Sequence, residues 1–149
     1  MIRSILIGLI AGQRAMTPLS IVAGESAKGR IGADMPGAAL LSHPIVRAGA
    51  VTLAAAEMAG DKMKTAPDRT VIAGLTARSL TSAFAGAALA KPGQRRMGAA
   101  LAVAAAIASS YAGLALRKRA MQRFGQTATG FVEDAALVAG GLAVANMRR

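Results

Sequence analysis

The sequence predicts an all-α, polytopic transmembrane helix bundle of about five spans (four to six), forming one domain over residues 1–149. Three observations carry this expectation. The chain is 54% hydrophobic with a mean hydropathy of +0.44, yet only 3% aromatic. Its apolar mass is therefore Ala, Leu, Ile, Val, Met and Gly, whereas a soluble core of this size draws much of its buried area from rings. The 17 glycines suit helices packed in lipid, where small residues let backbones approach. Finally, the basic residues fall in short clusters between apolar stretches: Lys28 and Arg30; Lys62, Lys64 and Arg69; Lys91, Arg95 and Arg96; Arg117, Lys118, Arg119 and Arg123; Arg148 and Arg149. That placement is the usual punctuation of membrane spans.

The first helix is expected over residues 2–24. Arg3 followed by the apolar run 4–11 has the outline of a signal peptide, but Arg14 and Pro18 interrupt it and no separate soluble domain follows. It reads as a first span, not a removed leader. Pro18 lacks an N–H and clashes with the preceding turn, so the span should kink or break near residues 14–17. The second helix is expected over 44–63, with Pro44 in its first turn. The third covers 69–90 with Asp68 as N-cap, and the fifth 129–147 with Thr129 as cap. The fourth, over 93–117, is the clearest, since residues 97–116 carry no charge. Each has roughly the 20 residues a span requires. Gly8 and Gly12 form a GxxxG pair that predicts close helix packing, and Gly98, Ala102 and Ala106, Ser109 and Gly113, and Ala136 and Gly140 repeat the spacing. Residues 25–43 form the longest connection. Under five spans the basic residues divide almost evenly between the two sides, so orientation stays open.

Composition also excludes functions. A net charge of +11 could serve nucleic acid, but no basic stripe interleaved with aromatics occurs, and an anionic membrane surface fits better. The absence of cysteine excludes disulfides, thiolate metal sites and a cysteine nucleophile, and the single His43 excludes a multi-histidine site. No nucleophile elbow, HExxH, P-loop or dinucleotide-binding glycine pattern is present. The sequence thus names no catalytic residue and calls for no cofactor, while leaving metal binding open.

The functional content lies in the charges within the spans. Arg14, Glu57, Arg78 and Glu133 belong to four different segments and fall at similar depth. Each would cost roughly 2.5–3.5 kcal/mol facing lipid. Pairing Arg14 and Arg78 with Glu57 and Glu133 would remove most of that cost, and Asp61, four residues after Glu57, shares its face. The expected object is a polar cluster inside the bundle, with Thr17 and freed carbonyls at the helix break. Arg14 and Arg78 would bind an anionic group or tune the carboxylates; Glu57, Asp61 and Glu133 would hold a proton or cation. This points to a transporter or channel for a small ion or solute. Two other readings stay open: a non-transporting membrane scaffold or assembly protein whose ion pairs are structural, and a lipid-binding protein. The expected partners are membrane lipid and further copies of the chain, with no nucleic acid.

The string Gly12-Gln13-Arg14-Ala15-Met16-Thr17-Pro18-Leu19 resembles the G-x-R-[SA]-M-T-P motif of a bacterial membrane-protein family catalogued as domain of unknown function 4126. Glu57-Met58-Ala59-Gly60-Asp61-Lys62 with Pro67-Asp68-Arg69-Thr70 is similar to its second block, and Arg78 and the Glu133-Asp134 pair fit its later part. The resemblance implies an integral membrane protein and carries no established activity; the expected location is the bacterial inner membrane, crossed several times.

Overall fold

A computed structural model of the chain describes residues 1–60 and 71–147. Among them are seven helices and no strand: α1 (Ile2–Gln13), α2 (Met16–Ala27), α3 (Ala38–Ser42), α4 (Pro44–Gly60), α5 (Ile72–Leu89), α6 (Arg95–Phe124) and α7 (Gln126–Asn146). Two of them, α6 and α7, are long and apolar enough to cross a membrane by length and composition. The all-α expectation holds, while by this measure five spans are not established among the described residues.

The largest departure is at the N-terminus. The expected first span breaks into α1 and α2 at Arg14, whose extended backbone (φ −143°, ψ 117°) turns the chain. It does more than kink. Arg3 near the start of α1 lies 3.8 Å from Glu25 near the end of α2, whereas a continuous helix would separate them by about 33 Å. The two half-helices therefore form a hairpin that returns to the end of the bundle from which it set out. Pro18 is the third residue of α2, where its missing N–H has no intrahelical partner to lose.

α1 runs parallel to α6. Ser4 meets Gly98, Gly8 meets Ala102, and Gly12 meets Ala106 and Ser110, in ascending order along both helices. The contact is so close that a methyl group on Gly8 would run into the Ala102 backbone, and one on Gly12 into Ala106 and Ser109. α5 lies antiparallel against both, with Gly86 on Gly98 and Ala102 and its carbonyl accepting from the Ser4 hydroxyl at 2.9 Å. Small residues at helical spacing thus let three backbones converge. Gly140, by contrast, has nothing within 4 Å, and its neighbour Gly141 is the one that packs, on Ile21 and Ile10. α2 lies against α3, α4, α5 and α7, and around this frame Ile7, Ile10, Val22, Ala85 and Val144 complete the apolar core.

α6 extends two turns beyond the expected end, to Phe124. Arg117 turns inward, and the Arg, Lys, Ala, Met and Gln that follow are good helix formers. Gly125, at φ +77°, supplies the left-handed turn into α7. Thr129 is not a cap; it lies within α7 and its hydroxyl bonds back to the Gly125 carbonyl at 2.7 Å. The residue before α5 is Val71, and Asp68 lies outside the described residues.

Around this apolar core, the placement of polar groups departs from that of a soluble bundle. Buried groups include Arg3, Arg14, Glu25, Arg78, Arg117 and Asp134, while Val51 and Leu53 of α4, Ile72 and Leu80 of α5, Leu116 of α6, and Val132 and Leu142 of α7 lie exposed.

Candidate functional site

The hairpin tip is where buried charge and broken backbone coincide. Ending α1 inside the protein orphans its last carbonyls, and starting α2 there orphans its first N–H groups. Side chains of α4 and α6 and the tip itself satisfy several of them. The Ile10 carbonyl accepts from the Arg14 amide at 3.0 Å, the Gly12 carbonyl from the Ser110 hydroxyl at 2.9 Å, and the Gln13 carbonyl from Arg14 Nη1 at 3.0 Å. One turn earlier the Ser109 hydroxyl donates to the Leu9 carbonyl at 2.7 Å, and Gln13 Nε2 donates to the Ser109 carbonyl at 2.6 Å. On the α2 side, the amides of Ala15 and Met16 donate to Glu57 Oε1 and Oε2 at 2.7 and 2.8 Å. A carboxylate thus sits on the positive end of a half-helix, where the peptide dipoles favour it.

Arg14 is only 1% exposed. Its Nε and Nη2 donate to Asp134 Oδ1 at 3.1 and 2.8 Å. The expected pairing of Arg14 with Glu57 or Glu133 is therefore corrected: its carboxylate is Asp134, and Glu133 instead accepts from Arg117 at 3.4 Å. Consecutive helical residues point about 100° apart, so only one of this pair faces the hairpin. Asp134 is the one on the buried stripe with Gly130 and Gly141. That stripe, two glycines flanking a carboxylate at helical spacing, was the signal that distinguishes it from Glu133.

The structure brings Arg14, Thr17, Glu57 and Asp134 together. Arg78 is buried in α5, eight residues beyond the Gly86 contact with Ser4, which is about the depth of the tip. Asp61 lies outside the described residues. Thr17, 3% exposed, has a hydroxyl with no hydrogen-bond partner. Pro18 is fully buried beside it. Among the described residues no group of three or more His, Asp or Glu is placed to hold a metal ion.

A second polar cluster was not foreseen. Glu25, 1% exposed, meets Arg3 at 3.8 Å, Lys28 at 3.3 Å and Arg30 at 3.4 Å. The turn that places Arg30 there is a glycine-terminated helix end: Gly29 takes φ +68° and the Arg30 amide donates to the Glu25 carbonyl at 2.9 Å. Arg3 also donates to the Val144 and Ala145 carbonyls at 3.2 and 3.4 Å, a cation at the C-terminus of α7. Glu25 was unreadable as a buried group because Arg3, 22 residues away, is its neighbour only if the chain reverses.

Two cavities flank the tip. One, of about 400 Å³, lies between α2, α4 and α7 and runs along Thr17, Ser20, Gly24 and Lys28 towards the Glu25 cluster. The other, of about 590 Å³, lies between α6 and α7, from Gln13 at the tip past Arg117 and Glu133 to Phe124. Because α6 continues beyond the tip in the direction of α1, the second cavity leads the opposite way. No family model, curated protein or solved structure matches the chain.

Proposed function

We propose that the chain is a multi-pass membrane protein in which α4–α7 span the bilayer, α1–α2 is a re-entrant hairpin, and the hairpin tip is the central site of a transporter or channel for a small ion or solute. The exposed apolar residues and buried charges support the membrane placement: large apolar side chains of α4–α7 turn outward while several charges are buried. Irregular backbone at membrane depth is tolerated only where protein satisfies it, and the tip is satisfied by Arg14, Ser110 and Glu57. The observation that carries the transport reading is the position of the tip between two cavities that lead to opposite ends of the bundle. Discontinuous helices whose half-helix ends meet at mid-depth are how transport sites are built. The Gly12–Leu19 string, on which the family resemblance rests, is this tip, and the second block supplies Glu57. Lipid would cover the exposed apolar faces outside the two cavities, and further copies of the chain would close the cavities over Leu116 and Val132 on one side and Val51 and Leu142 on the other.

The test is flux through purified protein in liposomes. Ala55 and Ala136 are exposed wall residues of the two cavities. Ala55→Trp and Ala136→Trp are each expected to lower flux at least about tenfold by constricting the path, with thermal stability unchanged. Flux indifferent to both, or no flux of any small ion or solute, returns the chain to the scaffold reading.

A further inference from the structure

Glu57, half-buried, differs from the other buried and half-buried carboxylates at the tip and its surroundings. Asp134 meets Arg14, Glu133 meets Arg117 and Glu25 meets three cations, but among the described residues Glu57 forms no salt bridge. Its two oxygens take the Ala15 and Met16 amides instead. A 12-residue half-helix whose first amides converge on a carboxylate is an anion site with an occupant supplied by the chain itself.

The next residue along the chain from Met16 carries a group that lacks a partner. The Thr17 hydroxyl is buried without a hydrogen-bond partner, an arrangement that costs about 1–3 kcal/mol unless something else fills it. Thr17 is one of the residues lining the α2–α4–α7 cavity. From there Ser20, Gly24 and Lys28 follow at helical spacing along one face of α2 to the Glu25 cluster. At that cluster three cations face a single carboxylate, so the approach favours a negative solute.

We propose that the N-terminus of α2 is the binding site for a small monocarboxylate of the formate or acetate class, which enters along the Thr17–Lys28 face and displaces the Glu57 carboxylate from the Ala15 and Met16 amides. The Thr17 hydroxyl donates to the incoming anion. Glu57 acts as a built-in competitor, so the free protein holds the site closed. The inference rests on the transport reading and gives its solute a sign and a chemical class.

Equilibrium dialysis of the full chain in detergent against labelled formate tests it, with liposome flux of formate, chloride and potassium measured in parallel. An internal competitor lowers apparent affinity by the fraction of time it occupies the site. Glu57→Ala is therefore expected to tighten formate binding at least about tenfold, with Glu57→Gln acting in the same direction, and Thr17→Val to weaken it at least about fivefold. Wild-type binding lost in Thr17→Val supports the site even if the Glu57 variants fail to fold. No formate binding, binding unchanged in both kinds of variant, or chloride bound in place of formate overturns the proposal. Potassium flux that Ala136→Trp blocks, with no formate bound or moved, overturns it while sparing the transport reading. Formate bound in the expected pattern without flux of any solute sustains the site and removes the transport reading.

Discussion

Asp134→Ala is expected to destabilise the protein by about 3–5 kcal/mol, because it leaves the Arg14 guanidinium buried without its carboxylate. Few single substitutions cost this much, and the mechanism separates two adjacent residues. Glu133→Ala breaks a longer contact, 3.4 Å to Arg117, whose carboxylate is more exposed, and should cost clearly less. Removing both partners of the Arg14 pair should recover part of the loss, since replacing a buried ion pair with apolar groups is often near neutral. Arg14 Nη1 also holds the Gln13 carbonyl, so the recovery in Arg14→Leu with Asp134→Leu should be incomplete. Thermal unfolding in detergent of the two single variants and the double variant measures all three quantities as a double-mutant cycle. Equal losses for Asp134→Ala and Glu133→Ala would show that the tip is not held as described.

The second large effect concerns how closely the hairpin lies on its neighbours. Gly8→Leu is expected to cost about 3 kcal/mol or more, at or above the upper end for overpacking, because even a methyl group there meets the Ala102 backbone. Backbone cannot rotate aside as a side chain can, so α1 would have to lift from α6. Gly140→Leu supplies the matched control: it changes the same residue type in a helix, but nothing lies within 4 Å of that site. It should be neutral or slightly stabilising, since glycine is itself unfavourable in a helix interior. Comparable losses at both positions would mean that close packing at Gly8 is not what holds α1.

How much of this was legible in the sequence follows the range of each interaction. Local features were readable. Pro18 and Arg14 inside an apolar run announced a broken helix, the Gly8/Gly12 spacing announced a close crossing, and the charge-free stretch in α6 announced its longest helix. Features that depend on direction after the break were not. An extended residue at Arg14 can kink a helix or reverse it, and nothing within residues 12–18 chooses. Once the chain reverses, Arg3 joins Lys28 and Arg30 at Glu25, and a side assignment built on a continuous span fails. Partner choice failed for a related reason. Opposite charges at similar depth were paired by sign alone, yet Glu57 takes backbone amides, because a half-helix N-terminus competes with an arginine for a carboxylate. Ser109 in α6 was read only as small-residue packing and Ser110 was not singled out, though their hydroxyls hold the last turns of α1.

The central claim is the reversal of α1–α2, and the chain lends itself to a direct test because it contains no cysteine. Ile2 and Ala33 are exposed on either side of the hairpin, and Gln122 is exposed near the far end of α6. Single cysteines at these three positions, labelled with a membrane-impermeant maleimide in sealed vesicles, report their sides. The hairpin places positions 2 and 33 on the same side and position 122 on the opposite one. Labelling of positions 2 and 33 from opposite sides would mean that the first segment crosses the membrane, and the site at its tip would fall with the hairpin.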